Sequence, residues 1–263
     1  MKKFLSRLYV ILILLFLYAP IGVLIISSFN NSRSRVIWGG FTFNWYKALF
    51  TNSTIMEAFG TTVILALTSA FIATIIGLTG ALGIHSMRVK QYKIMLFFTN
   101  IPMLNADIVT GIALMLWFVR FLPLGFTSVL LAHVTFNIPY VILCILPKLH
   151  QMDISQYEAA RDLGASNFTA FRKIILPSIF PGVLSGFFMA VTMSMDDFVI
   201  TYFTKGAGVN TLSTMIYGEI RKGIKPEMYA LSTVLFFIIF VLLILVNTLP
   251  RMKERNSQKT DFE

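Results

Sequence analysis

Long apolar runs alternate with shorter polar intervals along this chain, and that pattern predicts most of its architecture. The runs lie at about residues 8 to 29, 59 to 84, 94 to 119, 127 to 147, 181 to 203 and 229 to 250. Each is long enough to cross a hydrocarbon layer of ~30 Å as a helix. None alternates with period two, and unpaired backbone in lipid costs several kcal/mol per group, so helices are expected in place of barrel strands. The predicted fold is all-α: one polytopic membrane domain over residues 1–263 with six transmembrane helices. Lys2, Lys3 and Arg7 ahead of the first run also describe a secretory signal. The 19 residues from Leu8 to Ile26 exceed the usual apolar length of such a signal, however, and Ser27-Ser28-Phe29-Asn30 offers no small-x-small cleavage site. An uncleaved first helix is expected.

Composition agrees with this picture. Hydrophobic residues make up 56% and charged residues only 13%, about half the charged share of soluble chains, which excludes a soluble globular protein. A single cysteine, Cys144, rules out a disulfide framework or multi-cysteine metal site. His85, His133 and His150 are scattered without metal-ligand or hydrolase spacing, so no metal site is expected. Counting Lys and Arg by side gives 14 for the N-terminus, residues 85–93, residues 148–180 and the tail, against 8 on the opposite side. By the positive-inside rule both termini are cytoplasmic. The basic residues Lys205, Arg221, Lys222 and Lys225 fall on the other side, and contact with a partner is the reading left for them. The pI near 9.8 fits anchoring to an anionic lipid bilayer; no soluble basic domain suggests nucleic acid.

The cytoplasmic loop 148–180 is too varied in composition to be a linker. Ser155-Gln156-Tyr157-Glu158 fits a capping box, in which Ser155 accepts from the Glu158 amide and Glu158 returns to the Ser155 amide. A helix should begin there and stop at Gly164, the residue best able to take the left-handed conformation. Ser166 or Asn167 can cap a second short helix carrying Phe168, Phe171, Ile174 and Ile175 on one apolar face, ended by Pro177 after Leu176. That face must pack on the spans or on a partner.

The same residues, Glu158-Ala159-Ala160, three residues, Gly164, nine residues, Ile174, one residue, Leu176-Pro177, resemble the full EAA pattern of ABC importer permeases. The resemblance implies the type I permease fold, with Glu158, Ala159, Ala160, Gly164, Ile174, Leu176 and Pro177 in the segment that docks on a cytoplasmic ATPase. The chain has no Gly-x-x-x-x-Gly-Lys-Ser/Thr loop to cradle nucleotide phosphates. It is expected to be no enzyme and to hold no cofactor, with ATP and Mg carried by partner ATPase subunits. Pro102, Gly111, Pro139, Gly182 and Gly186 let spans bend or pack closely.

Under these spans every Lys and Arg lies in a loop or tail, whereas Asp107, Asp196 and Asp197 lie inside spans. At ~2.5 to 3.5 kcal/mol each near the bilayer centre, three carboxylates facing lipid would cost as much as a domain's whole stability. Counting residues at 1.5 Å rise puts Asp107 and Asp196 at similar depth. Adjacent helical residues point about 100° apart, so one of Asp196 and Asp197 should line a pathway while the other pairs elsewhere. Carboxylates without cationic partners in the chain suit a cationic substrate, with Trp117, Phe198 and Tyr202 adding cation–π contacts. Pairing with cations of a second permease subunit, or Asp107 capping a broken helix near Pro102 and Asn105, is the competing explanation.

Ser194-Met195-Asp196-Asp197-Phe198-Val199-Ile200-Thr201, Trp45-Tyr46 with Leu49-Phe50, and Ile108-Val109-Thr110-Gly111 resemble the spermidine/putrescine permeases of ABC importers over nearly the full chain. That family often has Pro-Glu where this chain has Ala106-Asp107; charge is retained and a softer helix break is expected. The resemblance implies a polyamine substrate and a bacterial inner-membrane complex of this chain, a PotB-like permease, two PotA-like ATPases and a PotD-like extracytoplasmic binding protein. Two alternatives stand beside it: an ABC permease for another organic cation or small solute, and an ion-coupled secondary transporter, which leaves the EAA loop unexplained.

Overall fold

The computed structural model describes residues 2–32, 37–222 and 225–260. In chain order the helices are α1 (Lys2–Ser28), α2 (Asn44–Thr51), α3 (Ser53–His85), α4 (Val89–Leu104), α5 (Asp107–Val119), α6 (Phe126–Gln151), α7 (Ile154–Asp162) and α8 (Asn167–Ala170). A π-helical turn, Phe171–Ile175, then leads into α9 (Leu176–Asp196), followed by α10 (Val199–Thr204), α11 (Leu212–Lys222) and α12 (Pro226–Thr260). Among the described residues the only β pairing is an isolated bridge between Asn30 and Phe41. The chain divides into two compact units, residues 1–59 with 215–240 and residues 60–214 with 241–263.

All six apolar runs fall on helices. Leu5–Ser28, Ser53–His85, Phe126–Gln151 and Asn167–Asp196 are long and apolar enough to cross a membrane, and Pro226–Val241 is a shorter apolar helix. The run expected at 94–119 departs from a single straight span: α4 and α5 meet the same test together but bend by 100°. The break occupies Asn105 and Ala106, both in extended conformation. Across it the Asn105 side-chain amide donates to Thr110 Oγ1 at 3.2 Å. The break is thus sharp with Ala106 at this position.

The fifth run departs at both ends. Its helix starts at Asn167, because Pro177 does not end the preceding helical segment. The π turn just before Pro177 is the device: a proline ring collides with the carbonyl four residues earlier, here Lys173, and a widened turn relieves that conflict. Nor does the run continue unbroken to 203. Helix α9 stops at Asp196, Asp197 is extended (ψ 124°), and the chain restarts as α10 at Val199.

Small residues set the packing of the larger unit. A Cβ on Gly182 would lie 2.9 Å from the Cys144 carbonyl oxygen, and one on Gly186 would lie 3.2 Å from Val141, so α9 and α6 approach to backbone contact. Gly111 does the same for α5 against α10, where a Cβ would meet Phe203 at 3.1 Å. Phe118, Ala132 and Ile200 form a buried cluster tying α5, α6 and α10 together. Between helices the Asn137 amide donates to Ser194 Oγ at 2.7 Å, and Ser194 and Ser69 hydroxyls lie 3.0 Å apart, linking α3, α6 and α9 through buried polar contacts.

In the smaller unit, Trp45 Nε1 donates to the Asn30 carbonyl at 2.7 Å, and Tyr46 meets Ser28 Oγ at 2.7 Å. The Trp45-Tyr46 pair thereby fastens α2 to the end of α1.

Candidate functional site

The two helix breaks converge on one cavity of about 330 Å³. It is lined by Asp107 and Thr110 of α5, Phe136 and Tyr140 of α6, and Asp196, Asp197 and Phe198 at the end of α9. No Lys or Arg is among its lining residues. Asp107 begins α5 and makes no capping bond with its side chain. Its charge nonetheless meets the partial positive end of that helix. Asp196 occupies the last position of α9, where the free carbonyls already carry partial negative charge. Two sources of negative potential thus coincide at that end of the cavity. Asp107 and Asp196 are both exposed, and neither side chain has a hydrogen-bond or ion-pair partner among the described residues.

Asp197 is different. Its carboxylate accepts from the amides of Ile200 (3.3 Å) and Thr201 (2.8 Å) and from the Thr201 hydroxyl (2.7 Å), which makes it the cap of α10. Fully buried His133 places Nε2 3.5 Å from the same carboxylate and 2.8 Å from Thr201 Oγ1. Of the adjacent pair, Asp197 is therefore the one engaged within the chain, by Thr201 and His133. Asp196 faces the cavity freely, while Asp197 lines it with its oxygens already engaged.

In the cytoplasmic loop, α7 is capped two residues earlier than expected. Asp153, not Ser155, is the N-cap, and its carboxylate accepts from the Ser155 amide at 3.0 Å. No capping box between Ser155 and Glu158 forms: an ionised Asp in extended conformation two residues ahead takes the amide that box would have used. The Ser155 hydroxyl and amide hold the Asp153 carboxyl below the usual carboxylate range. Glu158 consequently stands exposed in the middle of α7, beside exposed Ala159 and half-buried Ala160. Gly164 adopts φ +85°. The Gly164 amide bonds to the Arg161 carbonyl and the Ala165 amide to the Ala160 carbonyl, each at 3.0 Å, the two bonds of a Schellman turn. Ser166 then caps α8 by accepting from the Thr169 amide. Leu163 (89%) and Phe168 (70%) project into solvent around this turn, whereas Phe171, Ile174, Ile175 and Leu176 are half-buried and Pro177 is exposed.

Residues 73–256, which include both the broken helices and this loop, match the family described as binding-protein-dependent transport system inner membrane component. The chain belongs to that family. It is 37% identical over 251 residues to the spermidine/putrescine transport system permease protein PotC of Haemophilus influenzae, covering 95% of this chain and 98% of that protein. The same protein of Escherichia coli is 37% identical, with 92% of each chain covered. The E. coli putrescine transport system permease protein PotI is 36% identical over 84% of this chain and 81% of its own. Among solved structures, a bacterial ABC transporter involved in import of the acidic polysaccharide alginate superposes with TM-score 0.69 at 18% identity, covering 97% of this chain and 95% of that one. The MetNI methionine ABC transporter in inward-facing form gives TM-score 0.60 at 17% identity, over 77% and 99%. The fold is that of an ABC importer permease, an integral inner-membrane transport subunit.

Of the residues expected on the permease pathway, Asp107, Asp196, Asp197 and Phe198 line one cavity, and Trp117 and Tyr202 do not. Trp117 is 64% exposed in a separate shallow groove beside Arg120 and Phe121. Tyr202 is exposed and packs its ring against Phe198, 5.4 Å between centroids. The aromatic residues that do reach the cavity from α6, Phe136 and Tyr140, escaped the sequence reading. A signal was available: α6 carries two i, i+4 pairs, polar His133/Asn137 and aromatic Phe136/Tyr140, on neighbouring faces of an apolar helix. Of the loop cations, Lys205 Nζ donates to Asn210 and Lys225 lies 3.2 Å from Glu219; the side chain of Lys222 is outside the described residues.

Proposed function

We propose that this permease is the subunit through which an ATP-driven importer moves polyamines, spermidine or putrescine, by alternating access. The observation that carries the reading is the cavity at the paired helix breaks. Two exposed carboxylates and a helix C-terminus face a space with aromatic walls and no basic residue, an environment matched to a flexible chain of ammonium groups. The names of the full-length relatives supply the same substrate class. An oxyanion would meet only repulsion from Asp107 and Asp196. Another organic cation is the second reading, since the same charges would accept it.

The working complex contains a PotB-like permease, two PotA-like ATPases that bind ATP and Mg, and a PotD-like extracytoplasmic binding protein. Both termini lie on the cytoplasmic side, in line with the distribution of Lys and Arg. Glu158, Ala159, Ala160 and Gly164, with Ile174, Leu176 and Pro177 behind them, form the ATPase-coupling segment. Exposed Leu163 and Phe168 supply apolar area for docking, and the continuous helix from Asn167 to Asp196 runs from that dock to the cavity carboxylate. A displacement at the loop is thereby carried along one rigid element to the substrate route.

The test is uptake of radiolabelled polyamine into proteoliposomes holding the reconstituted complex, with a panel of competing cations and anions. ATP-dependent uptake that excess polyamine blocks and anions leave untouched is expected. Sustained passive flux without the ATPase subunits would overturn alternating access, and competition by anions would overturn the substrate class.

A further inference from the structure

A three-residue network links α6 to the break between α9 and α10. The Thr201 hydroxyl gives its proton to Asp197 Oδ2 at 2.7 Å, so at 2.8 Å from His133 it acts as acceptor, and His133 Nε2 must carry the shared proton. His133 Nδ1 is buried with no partner, which suits the lone pair of that same neutral tautomer. The backbone of Asp197 is held as well, since Ser213 Oγ donates to its carbonyl at 2.6 Å. With side chain and carbonyl fixed, the chain must leave the α conformation at Asp197, and α9 ends one residue earlier at Asp196.

We infer that His133 is a positioning residue: through Thr201 it locks Asp197 as the cap of α10, and that lock fixes the helix end that presents Asp196 to the cavity. His133 itself is not among the residues lining the cavity, and it acts only through the two residues it holds. Without the His133 proton, Thr201 Oγ1 loses its donor and turns toward other partners. Asp197 then competes for the cavity, the α9–α10 break is no longer unique, and the Asp196 carboxylate is displaced. Only one of two adjacent carboxylates serves the pathway because the other is consumed by this lock. The inference rests on the reading of the cavity as the substrate route.

The experiment follows position 196 and transport separately. A Cys144→Ala background carrying Asp196→Cys is treated, in open membrane fragments, with a small cationic methanethiosulfonate reagent, with His133 intact or changed to Phe or Gln. Uptake is measured in matched variants that retain Asp196. His133→Phe keeps an aromatic ring beside Phe136 but has no donor; His133→Gln restores an N–H at similar reach. Loss of a hydrogen bond to a charged network corresponds to about a 10-fold effect. His133→Phe is expected to slow labelling of position 196 and to raise the apparent KM for polyamine, each about 10-fold, with maximal rate changed far less, and His133→Gln is expected to recover both. Unchanged labelling in His133→Phe would overturn the inference, whatever happens to uptake. Slowed labelling with unchanged polyamine KM would uphold the positioning role and overturn the substrate route instead. Should His133→Phe fail to assemble, Thr201→Val, which removes only the hydroxyl, is judged by the same criteria.

Discussion

Replacing Asp196 by Asn removes one charge and almost no volume, so it isolates the electrostatic part of the site. The carboxylate sits at the C-terminal end of α9 with no bonding partner among the described residues, in a cavity without a basic lining residue. An ammonium about 4 Å away gains about 4 kcal/mol at an effective dielectric of ~20 and about 1 kcal/mol in bulk water. Asp196 is exposed within this chain, so the upper figure requires closure of the site by the second permease. Taking a value near the lower end of that range, about 1.4 kcal/mol, Asp196→Asn is expected to raise the apparent KM for polyamine at least about 10-fold. The assay is initial-rate uptake in the reconstituted complex, with binding-protein docking and subunit content measured on the same preparation. Asp197→Asn is the internal control. That substitution strikes the α10 cap and the His133 network, so it should reduce the yield or thermal stability of the complex. Normal polyamine KM in Asp196→Asn, or loss of association with the second permease on that substitution, would refute the pathway assignment and make Asp196 an interface residue.

Two further outcomes concern the loop. Gly164→Val places a β-branched residue at φ +85°, costing about 1 to 2 kcal/mol or more, and should uncouple uptake from ATP hydrolysis while the spans remain inserted; normal uptake with normal ATPase recruitment would contradict the coupling role. Asp153→Ala should fray the start of α7 and weaken ATPase recruitment. Because the Asp153 carboxyl titrates below its ordinary range when folded, its cap is fully present above that range and lost as pH falls through the lowered value, so recruitment should weaken with acidification in the native chain and lose that sensitivity in Asp153→Ala.

Apolar run length was sufficient to place the helices, because the cost of bare backbone in lipid leaves the chain little choice: four runs fall on helices long and apolar enough to cross a membrane, a fifth on a bent pair, and the last on a shorter apolar helix. The breaks inside them were harder to read. Pro177 looks like a terminator locally, yet a π turn absorbs it and the helix runs on to Asp196. Ala106 looks like a helix former, yet the chain bends there by 100°. The cavity acids were legible because charges in apolar runs are expensive and therefore purposeful. What lay beyond reach was the division of labour between Asp196 and Asp197. It depends on His133, far away in sequence, and no local spacing announces that contact. Trp117 was singled out by proximity along α5, but it lies two turns beyond Thr110 on that helix and so opens into a separate groove beside Arg120 and Phe121. Gly164 was read correctly for a purely local reason: a Schellman turn needs a left-handed residue after the last helical turn.

The central claim is that polyamine passes between the carboxylates at the two helix breaks. The most direct measurement is an experimental structure of the assembled importer, trapped with an ATPase-inactivating substitution and saturating spermidine. The account predicts an extended density in the cavity between Asp107 and Asp196, with Asp197 still capping α10 beside His133. Asp107 and Asp196 paired instead with Lys or Arg of the second permease, and spermidine bound elsewhere, would contradict it.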